Sequence, residues 1–99
     1  MLETSLVRTI KWAEEKGILE HGNVLSQGLK TNEECHELMD AILRESKTDV
    51  ADAIGDIFVT IVIQAELQGL NFTTCVNDVL DIIEQRTGKM ENGMFIKEE

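Results

Sequence analysis

Acidic side chains set where helix periodicity calls for apolar ones constrain this chain more than any other feature. The run Glu33-Glu34-Cys35-His36-Glu37 is followed downstream by Asp49-Val50-Ala51-Asp52-Ala53-Ile54-Gly55-Asp56. Both lie in segments that otherwise read as buried helix. A charge on a core-facing position is costly unless it is paired, hydrogen-bonded or bound to a metal. Cations nearby are few: Lys30 precedes the first cluster, and Arg44 and Lys47 lie between the two. A divalent cation is the simplest answer, and an oxygen-only ligand set favours Mg²⁺, with Mn²⁺ as a substitute.

The chain's size and charge narrow the partners. Its 99 residues suffice for one domain with a single core, and the apolar fraction of 42% argues against disorder. A monomer this small buries a modest share of its surface, which favours oligomerisation. A net charge of −10 argues against a nucleic-acid backbone or an anionic membrane as the main partner. A phosphate-bearing small molecule remains compatible if metal ions bridge the two. Cys35 and Cys75 form no disulfide framework and suit a reducing, cytoplasmic setting; with His21 and His36 they show no paired zinc-ligand spacing. The start, Met1-Leu2-Glu3-Thr4, runs directly into an amphipathic pattern rather than a signal peptide, and the longest apolar stretch, Ile57 to Ala65, is too short to span a bilayer.

Proline is absent, aromatic residues are few, and strictly alternating apolar runs are missing, so the pattern predicts an all-α chain and no sheet. Four main helices are expected. The first covers roughly Thr4 to Lys16 and ends at Gly17. A polar loop through His21-Gly22-Asn23 follows, with Val24, Leu25 and Leu29 tucked beneath it. The second runs from about Thr31, or from Ser26, to Arg44; Thr31 and Glu34 have capping-box spacing, which would compete with a ligand role for Glu34. The third runs from about Asp49, capped by Thr48, to Leu67, and Gly69 closes it. The fourth begins near Asn71 or Thr73 and stops near Gly88, leaving a mixed, turn-like tail.

Residues spaced at about 100° around each helix fix where the carboxylates point. On the second helix Cys35, Leu38, Ala41 and Ile42 define the apolar arc; Glu34 falls inside it and Glu37 at its edge, while Glu33, His36 and Asp40 face away. The third helix is apolar nearly all round, as buried helices are. Asp49, Asp52 and Asp56 share one stripe of it, and Gly55 removes a side chain where another helix or a ligand approaches. Asp49, near the helix start, also suits a dipole role. Two antiparallel helices carrying such pairs would meet their carboxylates across one cleft, an arrangement suited to Mg²⁺-dependent attack of water on a phosphate ester or anhydride.

These residues resemble the all-α nucleoside triphosphate pyrophosphohydrolases of MazG type, whose pattern is E-E-x-x-E, a gap, then E-x-x-D on two facing helices. Glu33-Glu34-x-x-Glu37 matches the first half, and Asp56 matches the last aspartate. The position three before Asp56 is Ala53 instead of glutamate; Asp52, one residue earlier, stands in for it, with Asp49 the alternative. The string Asp52-Ala53-Ile54-Gly55-Asp56 is similar to small MazG-like proteins of phages and bacteria. So are Trp12-Ala13-Glu14-Glu15-Lys16-Gly17-Ile18-Leu19, Gln27-x-x-Lys30, and the close from Arg86-Thr87-Gly88-Lys89-Met90 to Asn92-Gly93-x-Phe95-Ile96-Lys97.

The resemblance implies one domain over residues 1–99, a compact four-helix bundle, and the reaction NTP + H₂O → NMP + PPi with water attacking the α-phosphate. It implies Mg²⁺ held by Glu34, Glu37, Asp52 and Asp56, with Glu33 orienting or deprotonating the water. Lys30, Arg86 and Lys89 are candidates for the phosphates, Trp12 for stacking on the base and Gln27 for reading its edge. Core packing beside Ile10 is the competing role for Trp12. A homodimer or homotetramer with sites near the subunit interface is implied, and Val59 and Ile63 are apolar positions left over for it. The rival reading is a helical nucleotide-binding or regulatory module without catalysis.

Overall fold

A computed structural model describes residues 1–98. The chain runs α1 (Leu2–Glu15), α2 (Ile18–His21), α3 (Val24–Leu43), α4 (Lys47–Leu67), α5 (Phe72–Ile83), β1 (Gly88–Glu91) and β2 (Met94–Lys97). The fold is mostly helical, with 72% of residues in the five helices.

Local sequence sets the boundaries. Asn23 caps α3, its side-chain oxygen accepting from the Ser26 N–H at 2.9 Å. The helix therefore starts well ahead of Thr31, and the Thr31–Glu34 capping box does not form. Instead the Thr31 hydroxyl donates to the Gln27 carbonyl within the helix. Glu34 is thereby free of a capping role. Leu25 and Leu29 are not tucked beneath a loop but stand exposed on the outer side of α3, Leu25 at 73%. Ser46, not Thr48, caps α4 by accepting from the Asp49 N–H. Residues expected as loop before Asn23 form the single-turn helix α2.

Two helix ends close in the same way with different residues. At the end of α4, Leu70 N–H donates to the Ala65 carbonyl and Gly69 N–H to that of Glu66, with Gly69 at φ +68°. At the end of α3, Ser46 N–H donates to Ala41 and Glu45 N–H to Ile42, and here the left-handed position belongs to Glu45 at φ +56°. The first is the arrangement that glycine makes easy; the second carries a Cβ into a conformation disfavoured by about 1–2 kcal/mol. That turn folds α4 back against α3.

The core sits along α4. Val62 is completely buried, Ala53, Thr60, Ile63 and Ala65 are buried on the same helix, and Ala41 of α3 and Thr9 and Ala13 of α1 are buried on the helices packed against it. Burying a side chain such as that of Val62 contributes roughly 1.5–3 kcal/mol. Small residues at these positions let the three helices approach closely. Gln27 ties α3 to α4 by donating to the Thr60 carbonyl at 3.0 Å. Val59 is half-buried and Ile63 is buried within the chain itself, so Ile63 is not a leftover interface position.

The C-terminal part departs from the expected tail. Residues 88–97 form an antiparallel hairpin pairing Gly88 with Lys97 and Glu91 with Met94. Its two-residue turn, Asn92-Gly93, has positive φ at both positions, the conformation that lets a tight turn follow the twist of its strands. A small sheet is thus present where none was expected. The hairpin packs on no helix, and α5 leans on α4 chiefly through the edge-to-face pair Phe58–Phe72, 5.5 Å between centroids. The radius of gyration is 15.8 Å, against about 13 Å for a chain of this length folded on itself. Val79, Leu80, Ile82, Ile83 and Phe95 are accordingly exposed.

Candidate metal centre

The cleft between α3 and α4 gathers the acidic residues. Among the described residues, one group has oxygens close enough to share a cation: Glu34, Glu37 and Asp56, with one oxygen of each within 4.8 Å of the others. Glu34 and Glu37 sit three apart on α3, nearly one turn, and Asp56 faces them from α4. Glu34 is buried, 7% exposed, whereas Glu37 and Asp56 open to solvent. The position of Glu34 inside the apolar arc of its helix is therefore real, and its burial is the cost that the sequence pattern foretold.

The electrostatics mark this carboxyl as incomplete. Burial first, and then the charges of Glu37 and Asp56, push the Glu34 carboxyl above the usual glutamate range; Lys30 opposes the shift. Lys30 Nζ lies 3.9 Å from Glu34 Oε1 and 3.7 Å from Glu33, too loose to neutralise the group. Glu34 Oε2 is buried without a hydrogen-bond partner. Only a proton on one of the carboxyls would let Glu34 and Glu37 share a hydrogen bond. A buried carboxyl with one unpartnered oxygen, grouped with two further carboxylates, fits a hard divalent cation, which replaces repulsion with coordination.

Toward the turn the same cleft is differently furnished. Its cavity of about 400 Å³ is lined by Glu37, Asp40, Arg44, Asp49, Asp52 and Asp56. Arg44 bridges two of these carboxylates, donating from Nε to Asp40 at 2.9 Å and from Nη1 to Asp49 at 3.0 Å. The Arg44 guanidinium, aided by Ser46, holds the Asp49 carboxyl below the usual aspartate range. Asp49 is thus already occupied. Asp52 is exposed on the cavity wall, outside the group of three converging oxygens and within the same cleft.

The other expected residues scatter. Glu33 is exposed beside Lys30. The Gln27 amide nitrogen is committed to Thr60. Trp12, at 45% exposure, is not core but lines a groove between α1 and α4 together with Arg8 and Lys11. Arg86 follows α5 and Lys89 lies in β1, which pairs with β2 and packs on no helix. The structure does not bring them to the acidic cleft. Two features escaped the sequence reading. The Asp40–Arg44 pair had a signal, a spacing of four on one helix. The α1 cations had none until α1 was placed against α4.

A match to the family model for the MazG nucleotide pyrophosphohydrolase domain covers residues 22–90. The chain belongs to this family. No curated protein and no solved structure matches it. The matched span contains α3, α4 and every carboxylate of the cleft, and it leaves α1 outside.

Proposed function

We propose that the protein is a Mg²⁺-dependent nucleoside triphosphate pyrophosphohydrolase that converts NTP or dNTP and water to the monophosphate and pyrophosphate. The observation that carries this reading is the convergence of Glu34, Glu37 and Asp56, with Glu34 buried and one of its oxygens unpartnered. Membership of a nucleotide pyrophosphohydrolase family supplies the substrate class. When bound, Mg²⁺ (or Mn²⁺) supplies the positive charge that offsets the triphosphate and makes water more acidic.

This chain's own residues do the rest. Glu34, Glu37 and Asp56 hold the cation, and Asp52 on the cavity wall completes the set in place of the glutamate that Ala53 displaces. Glu37 and Asp56, being open to solvent, are the side that substrate phosphates reach. Glu33 orients the attacking water or takes its proton, and Lys30 offsets phosphate charge beside it. Asp49 stays with Arg44, whose guanidinium keeps it from the cation. The protein works as one domain in the cytoplasm, with neither nucleic acid nor membrane as partner; no helix among the described residues is long and apolar enough to cross a bilayer. A second copy covers the exposed apolar side of α5 and the hairpin in a homodimer or homotetramer, which the expanded shape of the single chain favours.

The test is a panel of nucleoside triphosphates followed by ³¹P NMR in H₂¹⁸O. The expected result is Mg²⁺-dependent pyrophosphate as first product, with ¹⁸O in the monophosphate. Orthophosphate first, or undiminished turnover in excess EDTA, would overturn the assignment.

A further inference from the structure

The outer side of α3 is more apolar than a solvated helix face calls for. Among the described residues α3 packs on one helix alone, α4, and its far side is left open. Along that side Leu25, Leu29, Asn32, His36, Met39 and Leu43 recur at steps of four, three, four, three and four. All six are exposed, Leu25 at 73% and Leu43 at 76%. At about 100° per residue they share an arc about 80° wide. None of the four carboxylates of α3 falls inside it, and Glu34 lies on the opposite side of the helix. A stripe with this spacing is the seam by which one helix packs along another, knobs into holes. No helix among the described residues supplies the other half.

The order of side chains along the stripe identifies the partner. From either end it runs apolar, apolar, polar, polar, apolar, apolar, with its centre at residue 34. Two copies of α3 laid antiparallel about that centre set Leu25 against Leu43, Leu29 against Met39 and Asn32 against His36, each pair twice. That is the self-complementarity a two-fold contact requires. The Asn32 amide and the His36 imidazole both donate and accept, so the central positions satisfy each other and fix the register. A parallel pair would set His36 against His36 and align the two helix dipoles in place of opposing them. We propose that the outer face of α3 docks on the same face of a second copy, antiparallel about residue 34. On one flank of the seam Cys35 meets its own copy. On the other Glu33 does, with Lys30 at 3.7 Å to offset its charge. The contact holds α3 from behind and leaves the acidic cleft open. It is separate from the contact of α5 and the hairpin, and two different two-fold contacts per chain close a tetramer where one closes a dimer. It does not depend on the nucleotide reading.

The experiment is sedimentation equilibrium from nanomolar to high micromolar chain, with circular dichroism alongside. Leu29→Lys and Met39→Glu should each weaken association about tenfold or more, since each puts a charge against an apolar side chain of the other copy. The double variant Leu29→Lys/Met39→Glu should recover much of the loss. Antiparallel pairing brings each introduced cation to an introduced carboxylate, whereas parallel pairing brings like to like. In a Cys75→Ser background a short bismaleimide should join Cys35 to Cys35, because the antiparallel register puts both on one flank and a parallel one puts them on opposite flanks. A wild-type chain that stays monomeric at high micromolar concentration would overturn the seam. Association unchanged in both single variants would also overturn it, and would leave the second copy to α5 and the hairpin. Loss in the single variants without recovery in the double variant, and without a Cys35 product, would overturn the antiparallel register. Where a variant loses its helical spectrum the cross-link decides alone: capture through Cys35 upholds the seam, and no capture overturns it.

Discussion

Glu34 and Asp49 face the same cleft, yet their carboxyl groups respond in opposite directions. Asp49 lies near the turn, meets Arg44 at 3.0 Å and is held below its ordinary range. Glu34 lies deeper, meets Glu37 and Asp56 in place of a close cation, and is pushed above its range. The chain had a guanidinium within reach and spent it on the outer pair. The difference separates a carboxylate that already has its partner from one left among like charges.

The sharpest way to break this contrast is to remove charge from the deep end. Glu37→Gln and Asp56→Asn are each expected to abolish pyrophosphate release while leaving the circular dichroism spectrum unchanged, since both side chains are exposed at their open ends. Near-wild-type kcat in either would remove that residue from the cation site. The next effect separates the two aspartates of the cavity wall. Asp52→Ala should lower kcat/KM on the order of a hundredfold, the scale of several kcal/mol of lost charge stabilisation. Asp49→Ala should cost far less, because its oxygens serve Arg44. Steady-state kinetics at saturating Mn²⁺ compare them, and the reverse ranking would hand the fourth position to Asp49.

A smaller effect appears in stability. The folded-state pKa of Glu34 is raised, so its contribution is fully present below the ordinary glutamate value and is lost as pH rises through the raised one. Asp49 behaves inversely: its lowered pKa contributes stability above the ordinary aspartate value, lost as pH falls through the folded one. In EDTA, Glu34→Gln should therefore melt higher than wild type at neutral pH and converge with it in acid. Mg²⁺ should raise the wild-type melting temperature and leave the variant nearly unmoved. Calorimetric scans from neutral pH down into acid give the comparison. The smallest effect is at the turn that joins the two ends. Glu45→Gly relieves a left-handed glutamate worth about 1 kcal/mol, or roughly 4–8 °C in a chain of this size.

Much of this arrangement was legible beforehand, and the failures have physical causes. The helical class, the ends at Gly17 and Gly69, and the inward placement of Glu34 follow from periodicity and from where glycine allows positive φ. The start of α3 was set too late because the Thr31–Glu34 spacing imitates a capping box, while Asn23, a stronger cap, sits ahead of a helix with apolar residues on its outer side. The hairpin was missed although its signal was present. Asn92-Gly93 is the favoured two-residue turn, but Lys89-Met90-Glu91 and Met94-Phe95-Ile96 are too short and mixed for alternation to register. Within the site, spacing brought Glu34, Glu37 and Asp56 together on paper because their helices are neighbours in sequence. Arg86 and Lys89 lie away from the acidic cleft because they follow α5 and enter a hairpin that pairs only with itself among the described residues, a placement no local pattern records.

The short link at Glu45 has a consequence for the order in which the molecule forms. Residues 44–46 alone separate α3 from α4, so the contacts that build the acidic cleft span little chain and close quickly, while those that seat α1 on α4 span more. The carboxylates are expected to converge on the way over the folding barrier, with their repulsion part of that barrier. In metal-free buffer of low ionic strength the chain should refold slowly for a helical protein, and added salt or Mg²⁺ should act mainly on the refolding limb of the chevron. Such a shift would make the cation of the proposed site also the ion that lets the site assemble.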